Sequence, residues 1–316
     1  MSDSWQPGAS RQQRRARADL YARLRAFFVE RGVLEVDMPI MASTFVSDPY
    51  LQPVIAQCQG RSHYLQSSPE YAMKRLLAAE AEDIYSLGKV FRDGEQGRRH
   101  NPEFTLLEWY RMGYDDQALM DEVAALIQSL LPDITVKRLS YRQWFENHLG
   151  IDPHRITLDK LRKLGREYIE IKDQGLDADA WLDLLVTHVL EPKLGSGLTL
   201  IYDYPASQAA LARILPDASG QRVARRFEAF LGGMELANGY WELTDVEEQR
   251  QRFERDFARR REQEIPCYPL DEKLLAALAA GLPECAGVAL GVDRLLMCLT
   301  GAASIDEVLS FSIHRI

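Results

Sequence analysis

Cys285-Ala286-Gly287-Val288-Ala289-Leu290-Gly291-Val292, continued by Asp293-Arg294-Leu295-Leu296-Met297-Cys298-Leu299, is the stretch whose reading decides the fold. The first eight residues are small or aliphatic and read as a buried strand, with Gly287, Ala289 and Gly291 sharing one face by the two-residue alternation of a pleat. From Asp293 onward the run reads as an apolar helix. It is the most apolar part of the chain, but Asp293 and Arg294 would be costly at a bilayer centre, so it is a core element and no membrane association is expected.

A core strand needs neighbours. Tyr85 to Arg92 and Phe104 to Arg111 are rich in β-formers and flank the polar loop Asp93 to Asn101, which predicts two antiparallel strands joined by a long, functional or mobile loop. Residues 1–10 are polar and expected to fray. Arg11 to Arg31 then reads as a helix with Leu20, Leu24, Phe27 and Phe28 on one face and Gly32 as its stop. Its outer arginines, Arg11, Arg14, Arg15, Arg17, Arg23 and Arg25, read as a solvated face in preference to a contact with an acidic partner. Val33 to Pro39 reads as an edge strand, and Pro69 to Leu77 as a helix. Asp115 to about Gly195 reads as helical, Leu198 to Tyr204 and Phe227 to Trp241 as strand-like. Thr244 with Glu247 forms a capping-box signature opening a helix from Asp245 to about Glu264. Strands in irregular order among helices predict an α+β fold built on an antiparallel sheet.

Charge and composition narrow the function. The 316 residues carry 38 Lys+Arg against 47 Asp+Glu, a net charge of −9, which argues against general nucleic-acid binding. Cys58, Cys267, Cys285 and Cys298 are scattered, with no spacing for zinc or a disulfide framework, as expected of a reduced, cytoplasmic protein. No P-loop, G-x-G-x-x-G, G-x-S-x-G or H-E-x-x-H pattern occurs.

Carboxylates and arginines placed within apolar strands remain. Glu103 and Glu108 follow the hairpin loop; Glu235, Asn238 and Glu242 crowd one short strand, with Glu228 just before it. Buried acids need partners. Mg²⁺ takes carboxylate oxygens together with substrate phosphates, and an amine-bearing ligand would engage the other acids. Arg92 and Arg294 are suited to phosphate oxygens. These residues point to a nucleotide plus an amino compound, with structural ion pairs on separate strands as the competing reading.

The motifs carry a resemblance. Gly32-Val33, Val36 and Pro39-Ile40 resemble motif 1 of the class II aminoacyl-tRNA synthetases, Phe91-Arg92 through Phe104 resembles motif 2, and Gly287 through Arg294 resembles motif 3. Arg99-His100-Asn101-Pro102-Glu103-Phe104-Thr105 and Glu235-Leu236-Ala237-Asn238-Gly239 resemble the lysine-specific members. Ser67-Ser68-Pro69-Glu70-Tyr71, Phe104 to Arg111 and Pro205-Ala206-Ser207-Gln208 resemble the stand-alone paralogues that modify a lysine of elongation factor P. Such paralogues lack the anticodon-binding domain, and here motif 1 begins almost at once, so anticodon recognition is not expected. The resemblance implies a flexible segment over 1–14 and a single synthetase-like catalytic domain over 15–316, its antiparallel sheet flanked by helices. It also implies a homodimer built on motif 1.

The implied reaction attacks the α-phosphate of ATP with an amino acid carboxylate and passes the acyl group from the adenylate to an amine. Arg92 and Arg294 are then catalytic. The resemblance turns Arg92, Asp93, Gly94, Glu95, His100, Asn101, Phe104, Glu235, Leu236, Gly291 and Arg294 toward the nucleotide, assigns Mg²⁺ to Glu228 and Glu235, and gives the substrate Ser68, Glu70, Glu108, Tyr110, Asn238, Glu242 and Ala289. Two departures stand out. Lysyl-tRNA synthetases carry glycine where this chain has Ala289, and the extra methyl bears on the choice between α-lysine and (R)-β-lysine. The usual motif 2 acid is displaced from Gly94 to Glu95: either the loop shifts by one residue, or the Gly94 backbone meets the adenine. The alternatives are a truncated enzyme charging tRNA or another amine, which the net charge opposes, and a non-catalytic amino-acid sensor, which should have lost Arg92, Arg294 or the Mg²⁺ acids.

Overall fold

The computed structural model describes residues 5–171 and 175–316, arranged as two compact units: one running to Asp115 and again from Glu242 to Ile316, the other Asp116–Trp241.

In the first unit the helix Arg11–Val29 opens at Ser10, whose hydroxyl accepts the Gln13 amide, and buries Leu20, Leu24, Phe27 and Phe28. Phe28 stacks on Tyr85 with ring centres 4.5 Å apart and meets Trp109 edge-on, which locks the helix to the sheet. The fraying expected up to residue 10 does not reach Gly8 and Ala9: their amides pair with the carbonyls of Ser310 and Leu309, and Ala9 is buried. The arginine face is not merely solvated either. Arg17 reaches Asp293, Arg25 clasps Glu35 and Arg14 bonds the Ala9 carbonyl.

The sheet of this unit runs in the order Leu34–Glu35, Ile84–Phe91, Glu103–Met112, Cys285–Gly291. The hairpin pairs Phe91 with Glu103 and Ile84 with Tyr110, leaving the expected long loop between its strands. Cys285–Gly291 lies antiparallel to Glu103–Met112, with Gly287 opposite Tyr110, Ala289 opposite Glu108 and Gly291 opposite Leu106. These partners therefore share one face. The edge strand predicted over Val33 to Pro39 shrinks to Leu34–Glu35 and pairs in parallel, so the sheet is mixed. A separate three-stranded sheet, Met41–Ala42, Arg61–Leu65 and Ile55–Cys58, precedes the helix Glu70–Ala79. The helix Val246–Glu262 is capped by Asp245, whose carboxylate accepts the Glu247 and Glu248 amides, in place of the predicted Thr244/Glu247 box. One aspartate thus satisfies two of the first-turn amides that lack a partner within the helix.

In the second unit the strand order is Met234–Trp241, Arg222–Leu231, Leu198–Pro205, Val136–Ser140. Helices Tyr141–Leu149 and Ala178–Leu185 bury Tyr141, Trp144, Phe145 and Trp181 in a common core. Two expectations change here. Val136–Ser140 lies within the stretch read as helical but pairs in parallel with Leu198–Pro205. The single run Phe227 to Trp241 is a hairpin of two strands, turned at Gly232 and Gly233, whose φ values of 59° and 74° suit residues without a Cβ.

Candidate active site

In the first unit a cluster of charged groups forms where helix Glu70–Ala79 meets the hairpin. Ser68 organises the helix start: its hydroxyl accepts the Glu70 amide at 3.0 Å and donates to Glu108 Oε2 at 2.7 Å. Tyr110, two residues along the strand and therefore on the same face, donates to Glu108 Oε1 at 2.8 Å. One helical turn after Glu70, Lys74 places its ammonium 2.8 Å from Glu70 Oε1 and 2.6 Å from Glu242 Oε2. Glu242 does not belong to the strand with Asn238, as the sequence suggested. That strand ends at Trp241, and the Glu242 amide bonds the Cys285 carbonyl.

Gly287 makes the cluster possible. A Cβ there would fall 2.3 Å from the Tyr110 ring and 2.6 Å from Glu242 Oε1, so a side chain would displace both. Burial, reinforced by neighbouring acids, pushes the Glu108 carboxyl up to about 7 and the Glu242 carboxyl up to about 8, the latter despite the opposing pull of Lys74. The Tyr110 hydroxyl is raised for the same reasons, whereas the two carboxylates beside Lys74 outweigh its desolvation and keep it charged. Three acids and one ammonium are thus arranged to hold further positive charge.

The loop after the Ile84–Phe91 strand carries the guanidinium groups. Arg92 lies 5.1 Å from the centre of the Phe104 ring, and its Nη1 is 3.3 Å from Glu95 Oε1. The displaced acid therefore reaches Arg92 itself, while Gly94 turns with φ 79° and its amide bonds the Asp93 carboxylate. His100 Nε2 meets an Arg294 guanidinium nitrogen across the base of the loop. Arg294 stands in the first turn of helix Val292–Thr300, immediately after Gly291. Asn101 is buried: its amide nitrogen bonds the Glu103 carbonyl at 2.6 Å and its oxygen accepts the Ile313 amide at 2.9 Å. It ties the loop to the C-terminal segment.

In the second unit Glu228 lies opposite Asn238, and Glu235 lies opposite Phe230, across a register shift that leaves Leu236 as an extra, buried residue. Residues three apart, such as Glu235 and Asn238, would face opposite ways on a regular strand; the bulge returns Glu235 to the face of Glu228. Arg226 bonds Glu228, Asn238 and the Gln208 carbonyl, and Asn238 also donates to Tyr240. Burial raises the Glu228 carboxyl, Arg226 opposes that, and the Glu235 charge adds to it. Among the described residues no group of three or more His, Cys, Asp or Glu side chains is arranged to hold a metal. A pair of carboxylates on one face does fit a Mg²⁺ whose remaining ligands are phosphate oxygens and water.

The family model for tRNA synthetases class II (D, K and N) matches residues 6–315. The chain belongs to this class II tRNA synthetase family. Curated proteins similar to it include the elongation factor P–(R)-β-lysine ligases of Salmonella paratyphi B, Salmonella heidelberg and Salmonella typhimurium, each 47% identical over 321 residues, covering 99% of this chain and 98% of the relative. As a class II synthetase family member the chain is an ATP-using enzyme, and the three motif resemblances fall on the stretch around strand Leu34–Glu35, on the hairpin with its loop, and on the strand-to-helix junction.

Sequence reasoning missed three features, two in the first unit and one in the second. Lys74 was signalled by its four-residue spacing from Glu70 on a predicted helix. Arg226 was signalled only by its proximity in sequence to Glu228. Asp293, read as a mere break in an apolar run, accepts the Thr105 amide at 2.6 Å and pairs with Arg17, pinning the helix that carries Arg294. No helix among the described residues is long and apolar enough to cross a membrane.

Proposed function

We propose that the protein is an AMP-forming ligase that activates (R)-β-lysine on ATP and transfers it to the ε-amino group of a lysine in elongation factor P, in the cytoplasm. The similarity over nearly the full length of both chains to ligases of that name carries the reading. The buried acids Glu108 and Glu242 and the part-buried Glu70, suited to amines, support it.

In the first step a carboxylate oxygen of β-lysine attacks the α-phosphorus of ATP and pyrophosphate leaves. Arg92 holds the substrate carboxylate against the α-phosphate, Phe104 and Arg294 enclose the adenine, and Arg294 extends to the γ-phosphate. Bringing two anions together is the main barrier, which arginines reduce by position and charge. Mg²⁺ held by Glu228 and Glu235 would supply further neutralisation of the phosphates. In the second step the acceptor amine attacks the acyl carbon, AMP leaves, and the amine gives up a proton. Ser68 and Tyr110 orient Glu108, Asn238 is a further candidate for the substrate amines, and the Ala289 methyl, opposite Glu108, shapes the wall that favours the β isomer. We further propose a two-fold homodimer: Leu34, Ile40, Met41 and Ile55 expose apolar surface on the motif 1 side of the first unit.

The test is ATP–pyrophosphate exchange with (R)-β-lysine and α-lysine side by side, followed by mass spectrometry of elongation factor P. Exchange favouring β-lysine, with one β-lysyl addition on the acceptor, is the expected result. Exchange with α-lysine and charging of tRNA would replace this reading.

A further inference from the structure

The cluster on helix Glu70–Ala79 holds a cation of its own, and charge counting gives that cation a task. Lys74 is 2% exposed and Glu242 1%, so their pair is sealed from water. Glu70 shares the same ammonium, while the two oxygens of Glu108 accept the hydroxyls of Ser68 and Tyr110. The facing strand Cys285–Gly291 contributes only Gly287 and Ala289 there, neither of them charged. Within this cluster three carboxylates, of which Glu70 is the part-exposed one at 13%, face one ammonium, two positive charges short of balance. β-Lysine carries two ammonium groups.

Resting on the assignment of Glu70, Glu108 and Glu242 to the substrate amines, we propose that Lys74 is a positioning residue: its ammonium pins Glu70 and Glu242 in place and sets the charge of the pocket to the value that a diammonium substrate neutralises. The cluster selects diamino acids as a class by charge number. Choice between the α and β isomers, which carry the same charge, falls to the shape of the wall at Ala289.

Burial first, and the neighbouring acids second, displace the Glu108 and Glu242 carboxyls to about 7 and about 8, so the free protein holds protons there. A dication can enter only as those protons leave. Affinity for β-lysine should therefore rise with pH from 6 to about 8.5, and binding at pH 7 should release about one proton. Without Lys74 the acids lose the nearest charge favouring their ionised forms. Their titration then moves to higher pH, by about one unit or more for a partner at this range.

Two measurements test this. Calorimetry of β-lysine binding to the wild-type protein, in buffers of different ionisation enthalpy at pH 7, counts protons released. Exchange kinetics of Lys74→Met across pH 6–8.5 then give KM for β-lysine and for ATP separately. The expected result is about one proton released by the wild type. In the variant, KM for β-lysine should rise about tenfold or more with its pH midpoint displaced upward, while KM for ATP stays within about twofold. A purely structural lysine would raise both KM values together and leave the midpoint unmoved, which overturns the proposal. If the variant does not fold, the wild-type proton count decides alone. Proton release with α-lysine but not β-lysine would uphold Lys74 and overturn the isomer assignment. Binding of β-lysine with no proton released would do the reverse.

Discussion

The Lys74 cluster and the Asp93–Asn101 loop both prepare for charged ligand groups, but they do so on different scaffolds. Glu70, Lys74, Glu108 and Tyr110 stand on a helix and a central strand, and Lys74 and Glu242 are almost fully buried. Arg92 and Glu95 sit where strand gives way to loop, each side chain 29% exposed, and their contact of 3.3 Å is loose. The acids are organised before any ligand arrives, because burial forbids them to remain unpartnered. The arginine can stay near water at little cost and exchange Glu95 for a phosphate. On the proposed function, amine recognition is rigid and phosphate recognition adaptable, a division suited to an enzyme that must discriminate among amino acids yet accommodate a nucleotide whose charge changes during the reaction.

Arg92→Ala probes the adaptable side and should have the largest effect. Loss of charge stabilisation at the α-phosphate is expected to lower ATP–pyrophosphate exchange by about 10²–10³-fold or more, with the melting temperature nearly unchanged because the side chain is partly exposed. Exchange at wild-type rates would remove Arg92 from the reaction.

Gly287→Ala attacks the rigid side. The added methyl collides with Tyr110 and Glu242, so a destabilisation of about 1–3 kcal/mol is expected, together with a KM for β-lysine raised well beyond that for ATP. Denaturant unfolding and steady-state kinetics measure the two effects. If both constants rose equally, the cluster would not be specific to the amine.

Ala289→Gly, a milder change on the same face, sharpens the comparison by altering shape without charge. The ratio of α-lysine to β-lysine activation should increase about tenfold, the usual worth of a methyl group in a pocket. A ratio that did not move would place isomer selection elsewhere, near Ser68 or at Ser207 and Gln208.

The smallest expected effect is a pH dependence of stability. Glu108 and Glu242 titrate near 7 and 8 in the folded chain against an ordinary 4.5, so the folded state keeps protons that the unfolded chain has released. Their contribution to stability is present below about 4.5 and is lost as pH rises toward 8. The melting temperature should fall by a few degrees across that window, and saturating β-lysine should flatten the slope. A melting temperature that rose with pH in the free protein and was indifferent to β-lysine would mean the acids are already fully balanced by the chain.

Local patterns alone determined a good part of this protein. The periodic apolar face of Arg11–Val29, the β-rich runs flanking a polar loop, and the glycine-spaced strand feeding an apolar helix at Cys285–Thr300 were legible because each rests on contacts between residues close in sequence. The chemical types of the site were legible too, since arginines and carboxylates within apolar strands demand explanation. The Gly232-Gly233 dipeptide is itself a local hairpin signal, and it divides the run Phe227 to Trp241 into two strands. Only tertiary structure could decide which acids meet which cations. The pairing of Glu242 with Lys74, the parallel pairing of Val136–Ser140 and the hold of Asn101 on Ile313 depend on register between distant segments, and the bulge that turns Glu235 toward Glu228 on the register of its hairpin. A shift of one residue would reverse the face on which each side chain lies. Local propensity carries no information about that register, which is set by packing within each unit's core.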